Sequence, residues 1–446
     1  MKRGHTMVSI AAVAAASALT LTACGGNTDA GTAKAASTNA AAADSNAAAG
    51  AKLDTGTYPT TPQPAFGKAG TAQKGAIVEG QRLAEYVVHP WDIDINLTKN
   101  SPGGSYVIKN AAAAAKFLTK PVADSIANDQ FVTGFATAAG DGDTVGHENV
   151  HAVLRFADPA SAQKAANDLH QASITTDLNT AFGGTADPNT PPNTGTADSI
   201  SALPNTLVVT HDSLGSYTVE AATPHGAYVI YDWFKGKDGS STANTKAWAA
   251  KSAATAVQLQ GPLIDKFPAT PVDQLPNLPI DQDGVLRLTI PPASGKVSVN
   301  QNAVYGPNGF LNFSDSPLQD KVLLQSSGTD RVAFGDSSVY RTRDAQGAKV
   351  LLDGIAKQFN QSLHPAPAAP GVPGSQCWVT SSRYQSQTLC LVARGRYVAQ
   401  VQGSADVPLD AGATAPTTAP AQAAGSDITM AHQKSAAQFE ILAGQK

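Results

Sequence analysis

Three short matches, each met twice and in the same order, limit what this chain can fold into more than any other feature. Arg155-Phe156-Ala157-Asp158, leading to Ala162, returns as Arg341-Thr342-Arg343-Asp344, leading to Ala348. Gly226-Ala227-Tyr228-Val229 returns as Gly395-Arg396-Tyr397-Val398, and Lys251-Ser252-Ala253-Ala254 returns unchanged as Lys434-Ser435-Ala436-Ala437. The spacing between partners drifts only by loop-sized amounts. Ordered self-similarity of this kind marks a repeated supersecondary unit, so the expected body is one design built twice.

Each copy reads as strand, helix, strand, strand, helix. In the first, Val150, Ala152, Leu154 and Phe156 alternate with polar or neutral neighbours, the pattern of a half-buried strand. Asp158 is an N-cap and Pro159 a first helical residue, for a helix running to about 172. The Gly, Pro, Asn and Thr of 179–199 read as a long loop. Strands are expected at 206–210, 217–221 and 227–234, the last two paired around Pro224-His225-Gly226, and a helix over 246–259 closes the copy. The second copy gives a strand at 338–342 and a helix over 345–359 with Val350, Leu351, Ile355 and Phe359 on one stripe. A loop at 365–374, strands at 377–380, 388–393 and 396–402, and a loop at 404–425 follow. Asp427 is expected to cap a last helix to about 442. The connection, about 262–330, is Pro-rich and contains an expected strand over 285–290. The expected class is α+β: duplicated β-α-β-β-α units with helices on one face of each sheet, ferredoxin-like or dimeric α/β-barrel-like. The halves are 53–275 and 276–446.

The N-terminus reads as a targeting segment. Lys2 and Arg3 precede a short, Ala-rich apolar stretch from Met7 to Leu21, which is secretory in pattern. It ends in Leu21-Thr22-Ala23-Cys24-Gly25, which is similar to the lipobox of bacterial lipoproteins. Residues 1–23 are then the signal peptide, and Cys24 becomes the lipidated N-terminus. Each buried methylene contributes roughly 0.8 kcal/mol, so two or three acyl chains hold where one would not. Residues 24–52 carry almost no large apolar side chain and cannot offset their ordering entropy by burial. They read as a disordered tether spanning about 30 Å. The expected location is the cell membrane, lipid-anchored on its extracytoplasmic face.

Leu53-Asp54-Thr55-Gly56-Thr57-Tyr58-Pro59-Thr60, Gly80-Gln81-Arg82-Leu83-Ala84, Gly335-Asp336-Ser337-Ser338-Val339-Tyr340-Arg341 and Gly395-Arg396-Tyr397-Val398 add a resemblance. From about Lys52 onward the chain resembles an uncharacterised lipoprotein family of mycolic-acid-bearing actinobacteria. That resemblance implies location and fold and supplies no activity.

Catalytic motifs are present only in fragments. His147-Glu148-Asn149-Val150-His151 fits HExxH, in which two His on one helical face hold zinc and Glu activates a water. Loop residues precede it and strand alternation follows it, so it reads as surface polar residues at the start of a strand. His147 and His151 remain the metal candidates, with His170 or Asp168 as substitute third ligands of unfamiliar spacing. Asp54-Thr55-Gly56 matches half of an aspartic-protease pair, which needs two such Asp, and reads as a turn. Gly335-Asp336-Ser337-Ser338 resembles a GDS esterase block, but it lies mid-chain and His432 has no Asp three residues before it. Nine His and five Glu leave little other acid–base material. Three Cys exclude a disulfide scaffold. With Cys24 lipidated, Cys377 and Cys390 remain for an oxidising compartment. A hairpin turning at Arg383-Tyr384 sets them opposite each other as a disulfide.

A net charge of −4 with 15% charged residues argues against nucleic-acid binding. No apolar run outside the N-terminus is long enough to span a bilayer. The expected function is a membrane-anchored, non-enzymatic binding or envelope-interaction module, without cofactor, whose partners are the membrane and an unknown envelope ligand or protein. The alternatives are a zinc-dependent envelope hydrolase using residues 147–151, and a lipid or glycolipid carrier with a cavity between sheet and helices.

Overall fold

The computed structural model describes residues 52–101, 104–142, 146–181, 184–185, 187–213, 216–292, 298–381, 385–406 and 425–445. Cys24, the lipobox, the tether through Ala51 and most of the 404–425 loop lie outside them. Helices α1 (Ala72–Leu83) and α2 (Pro90–Ile93) lead into strands β1 (Lys99–Asn100) and β2 (Tyr106–Ile108) and helix α3 (Lys120–Ser125). The first large unit comprises β3 (Phe131–Gly140), β4 (Glu148–Phe156), α4 (Pro159–Thr175), α5 (Leu178–Ala181), β5 (Thr196–Asp198), β6 (Leu207–Ser213), β7 (Ser216–His225), β8 (Tyr228–Lys235) and α6 (Thr242–Ile264). After the connection come β9 (Ala303–Tyr305), α7 (Pro307–Leu311) and α8 (Pro317–Ser327). The second unit comprises β10 (Arg331–Phe334), β11 (Ser337–Arg341), α9 (Ala345–Ser362), β12 (His364–Ala366), β13 (Gln376–Ser381), β14 (Gln385–Arg394), β15 (Tyr397–Asp406) and α10 (Gly425–Ile441).

The elements form two antiparallel sheets. One is ordered β1-β3-β4-β8-β7-β6-β5, with β2 also on β3; the other is ordered β12-β13-β14-β15-β11-β10-β9. Read from β3 and from β10, the first six strands follow the same path through both sheets. Arg155 faces Tyr228 across β4 and β8, and Arg341 faces Tyr397 across β11 and β15. Two of the three sequence matches are therefore cross-strand neighbours in each sheet.

Local chemistry explains the helix starts. The Asp158 carboxylate accepts the Ser161 N–H at 2.8 Å, and Asp344 accepts the Gly347 N–H at 2.7 Å. Such a cap contributes about 1 kcal/mol. Asp427 is different: it lies inside the first turn of α10, where its carboxylate accepts the hydroxyls of Ser386 at 2.8 Å and Thr388 at 3.0 Å. The expected cap is thus a buried tie from helix to sheet.

Three other expectations are corrected. Each unit has a strand before the first (β3, β10) and a short edge strand after the first helix (β5, β12), so β-α-β-β-α is incomplete. Helices cover both faces of each sheet, unlike the single-faced layers expected. In the first sheet, Tyr231 and Ala222 join the core under α4, while their neighbours Phe234 and Ala221 join Ala249 and Ala253 of α6. In the second, Leu389 and Leu391 meet α9, and Cys390 and Val392 meet α10. Finally, 285–290 is no strand. The Asp281 carboxylate accepts the N–H groups of Leu286 (2.7 Å) and Arg287 (3.0 Å), which winds the chain into tight 3-10 turns.

Between the sheets runs the segment of α1 and α2. Leu83, Val87 and Trp91 share one core with Phe135 and Val153 of the first sheet and Tyr340, Leu391 and Val398 of the second. Buried ions accompany them. Glu79, fully buried, receives Arg155 Nη1 at 2.6 Å, the Thr270 N–H at 2.7 Å, and Arg82. Breaking one partner of such a network strands a charge in a low-dielectric interior. No described helix is long and apolar enough to cross a membrane.

Candidate functional site

The HExxH residues do not assemble a metal centre. Glu148 opens β4 and His147 precedes it, so the motif is extended. Four residues of strand separate its two His by about 13 Å, too far to share one ion. His147 lies against the Trp248 ring at 4.3 Å, with Nδ1 3.4 Å from Asp141. His151 is not at the surface, as its sequence context suggests, but fully buried. Its Nδ1 is 2.9 Å from Asp232 Oδ1 and its Nε2 is 2.9 Å from Gln260 Oε1. Gln260 gives its amide N–H to the Tyr86 carbonyl, so its oxygen faces the imidazole. Both ring nitrogens face acceptor oxygens, and one of these belongs to a carboxylate, which favours the protonated ring. Burial opposes that charge, but Asp232 and the two hydrogen bonds outweigh it and hold the pKa above the usual histidine value.

The other motifs are also structural. Asp54 Oδ1 accepts the Gly56 N–H at 3.0 Å, and its carboxylate takes the Gln433 amide, an exposed turn clipped to α10. Gly56 has φ 51°, open to glycine without strain. Ser337 Oγ donates to Gln438 at 2.6 Å and accepts the Ile290 N–H at 2.9 Å, and Asp336 pairs with Lys434 at 2.8 Å. The hydroxyl is held between two partners, neither of them an imidazole. Cys377 and Cys390 form a disulfide, facing each other in the β13–β14 register with Cα atoms 4.1 Å apart. Among the described residues His432 comes within 4.8 Å of their sulfurs, which as a disulfide offer no thiolate ligand.

Open clefts occur among the described residues, and two of them stand out. One, about 440 Å³, lies at the β5 edge, with Thr194, Thr196, Thr210, Asp212 and Tyr217 on its walls and the Asp198–Lys246 ion pair within it. The other, about 510 Å³, sits where the chain passes from one half to the other. Its walls are Phe66, Gly67 and Lys68 from the entering segment and Asn277, Pro279, Asp281, Gly284 and Arg287 from the connection between the halves. Backbone bonds sew the seam: Ala69 N–H to Leu278 O at 2.8 Å and Ile280 N–H to Gly67 O at 3.0 Å. Arg287 Nε donates to Gln63 O at 3.0 Å, and Lys68 Nζ to Asn277 Oδ1 at 3.2 Å. Burial raises the Asp281 pKa against the pull of its backbone N–H partners and Arg287. No motif announces this cleft. Its residues lie more than two hundred positions apart, and the one available signal was Arg287 within an apolar run.

Fold and site together define an α+β protein of two antiparallel sheets with an open cleft at the connection between them. Residues 66–280 match the N-terminal and residues 285–416 the C-terminal model of DUF7373, each described as a domain of unknown function. The chain belongs to the DUF7373 family. No curated protein matches it. The crystal structure of the extracellular domain of PknH from Mycobacterium tuberculosis is similar over 40% of this chain and 95% of that chain, at 13% identity and a TM-score of 0.26.

Proposed function

We propose that the protein is a lipid-anchored, extracytoplasmic, non-enzymatic module that binds a ligand in the seam cleft. The position of that cleft carries the reading: Phe66, Lys68 and Pro279 belong to the N-terminal family segment and Arg287 to the C-terminal one, so a ligand there touches both. Its size suits a small-molecule site. The Cys377–Cys390 disulfide supports an oxidising compartment, and Leu21-Thr22-Ala23-Cys24 supports the anchor. The hydrogen bonds occupying His151 and Ser337 speak against hydrolysis. The common strand path and paired motifs favour descent of the halves from one duplicated unit.

Two measurements test the proposal. Cys24→Ala should abolish palmitate labelling and release the chain from the membrane fraction; labelling that persists contradicts the anchor. Native mass spectrometry of protein isolated from its own membrane should show a bound species that Phe66→Ala loses. Stoichiometric zinc lost on His151→Ala, with hydrolytic activity, would replace this reading by the hydrolase.

A further inference from the structure

Resting on the reading of the seam cleft as the ligand site, we infer that its ligand is an amphipathic anion, with a phosphate or carboxylate head on Arg287 and Lys68 and an apolar body against Phe66 and Pro279. Six of the eight described arginines, Arg82, Arg155, Arg331, Arg341, Arg343 and Arg394, reach a carboxylate; Arg396 lies over the Tyr397 ring and Arg287 faces the cleft. Arg287 is half-buried, yet among the described residues no carboxylate forms a salt bridge with it or with Lys68. The guanidinium is nevertheless fixed. Gln63 O takes Nε, and Asp281 Oδ2 takes the backbone N–H, while the two terminal nitrogens have no partner among the described residues. A guanidinium oriented in advance with two free N–H edges matches the two oxygens of a phosphate or carboxylate.

Asp281 shares the cleft and must be weighed. Its oxygens accept the Leu286 and Arg287 backbone N–H groups, so part of its charge is taken up by the backbone; it attracts the Arg287 side chain electrostatically but forms no ion pair with it among the described residues. The mouth is open: a Cβ at Gly67 would meet nothing within 4 Å. The far wall is apolar, because Phe66 is half-buried against the second sheet's core and Pro279 is exposed beside it. A bare phosphate fills only a small part of about 510 Å³, so the remainder calls for a hydrocarbon or ring.

The test uses the mature chain, residues 24–446, with Cys24→Ser so that no acyl group competes. Calorimetric titrations with decyl phosphate, inorganic phosphate and neutral decyl maltoside are compared, and flotation is run with phosphatidylglycerol and phosphatidylcholine vesicles. Decyl phosphate should bind best. Arg287→Gln should weaken it by about ten-fold or more, and exposed Lys68→Gln by about three-fold. Arg287→Lys, which keeps the charge and loses the fork, should fall between. Phe66→Ala should weaken decyl phosphate and leave inorganic phosphate unchanged. Arg287-dependent flotation with phosphatidylglycerol assigns the anion to a lipid headgroup; binding of monomeric decyl phosphate alone assigns it to a free ligand. Decyl maltoside binding as tightly as decyl phosphate, with Lys68→Gln and Arg287→Gln silent and Phe66→Ala disruptive, overturns the anion and leaves the seam reading standing. No binding of decyl phosphate overturns the inference as well, while the bound species in native mass spectrometry judges the seam reading separately.

Discussion

His151 and His89 are both sealed from solvent, and their surroundings shift their pKa values in opposite directions. For His151, burial is outweighed by Asp232 and two acceptors, so its pKa is raised. For His89, stacked on Trp91 at 4.2 Å and held by Asn308 and Asn312, burial outweighs Asp92 and these contacts, with Lys321 adding to it, and the pKa falls to about 4. A folded pKa below the unfolded value near 6.5 means stability is lost as pH falls from 6.5 toward 4, by about 3 kcal/mol if fully expressed. His89→Gln should flatten that part of the acid limb, measured by urea melts at pH 7 and 4.5; identical limbs would contradict it. The raised His151 pKa works the other way: its contribution is complete below pH 6.5 and lost as pH rises through the folded value. Asp232→Asn should therefore cost about 3–5 kcal/mol at pH 6, because it leaves a buried imidazolium unpaired. A cost under about 1 kcal/mol would mean the ring is neutral. The sequence made the extended HENVH legible through its alternation. It could not reveal burial, since Asp232 and Gln260 stand 81 and 109 residues away.

At the scale of elements, the pairing of β13 with β14 was the most readable piece, since the Cys pair fixes one register; the turn expected at Arg383-Tyr384 lies outside the described residues. Its disulfide closes a separation of 13 residues, for which chain entropy gives about 3 kcal/mol, less where the hairpin survives unfolding. Reduction should lower the melting temperature by about 2–6 °C with unchanged far-UV dichroism. Titratable thiol in the denatured, unreduced mature protein would refute the bond. Strand β3 was not readable. FVTGFATAAG is almost wholly buried, so no polar face alternates with an apolar one, and Gly134 lies there because a Cβ would come 2.9 Å from Val153 O. The 285–290 run shows the opposite failure: its alternation is genuine, but Asp281 claims two of its N–H groups. Helix α1 went unread because its residues are buried between sheets and lack a solvent stripe. Gly75 marks its closest approach, where a Cβ would stand 2.2 Å from Leu275 O. Gly75→Ala should cost about 1–3 kcal/mol in denaturant melts, and a neutral result would show that α1 can move off 272–277.

For the molecule as a whole, one core containing Phe135, Trp91 and Tyr340 joins both sheets, so the halves should unfold together. Calorimetry should give a single transition; two resolved transitions would refute that coupling. The repeated motifs made two halves legible but said nothing of their junction, because the repeats lie on strands and helices while the seam is built from unrepeated connections. One detail of that junction governs the order of assembly. Leu53, Tyr58 and Phe66 are seated on the core beneath α10, Asp54 is held by Gln433, and the Lys434 ammonium lies 5.6 Å from the centre of the Tyr58 ring. Of the described residues, those synthesised first have no seat until those synthesised last have folded. The leading segment therefore stays unsheltered until the last helix has been made and folded. Under the proposed anchor at Cys24, a pull on the docked segment would be delivered to Gln433 in the final helix, 379 positions along the chain from Asp54.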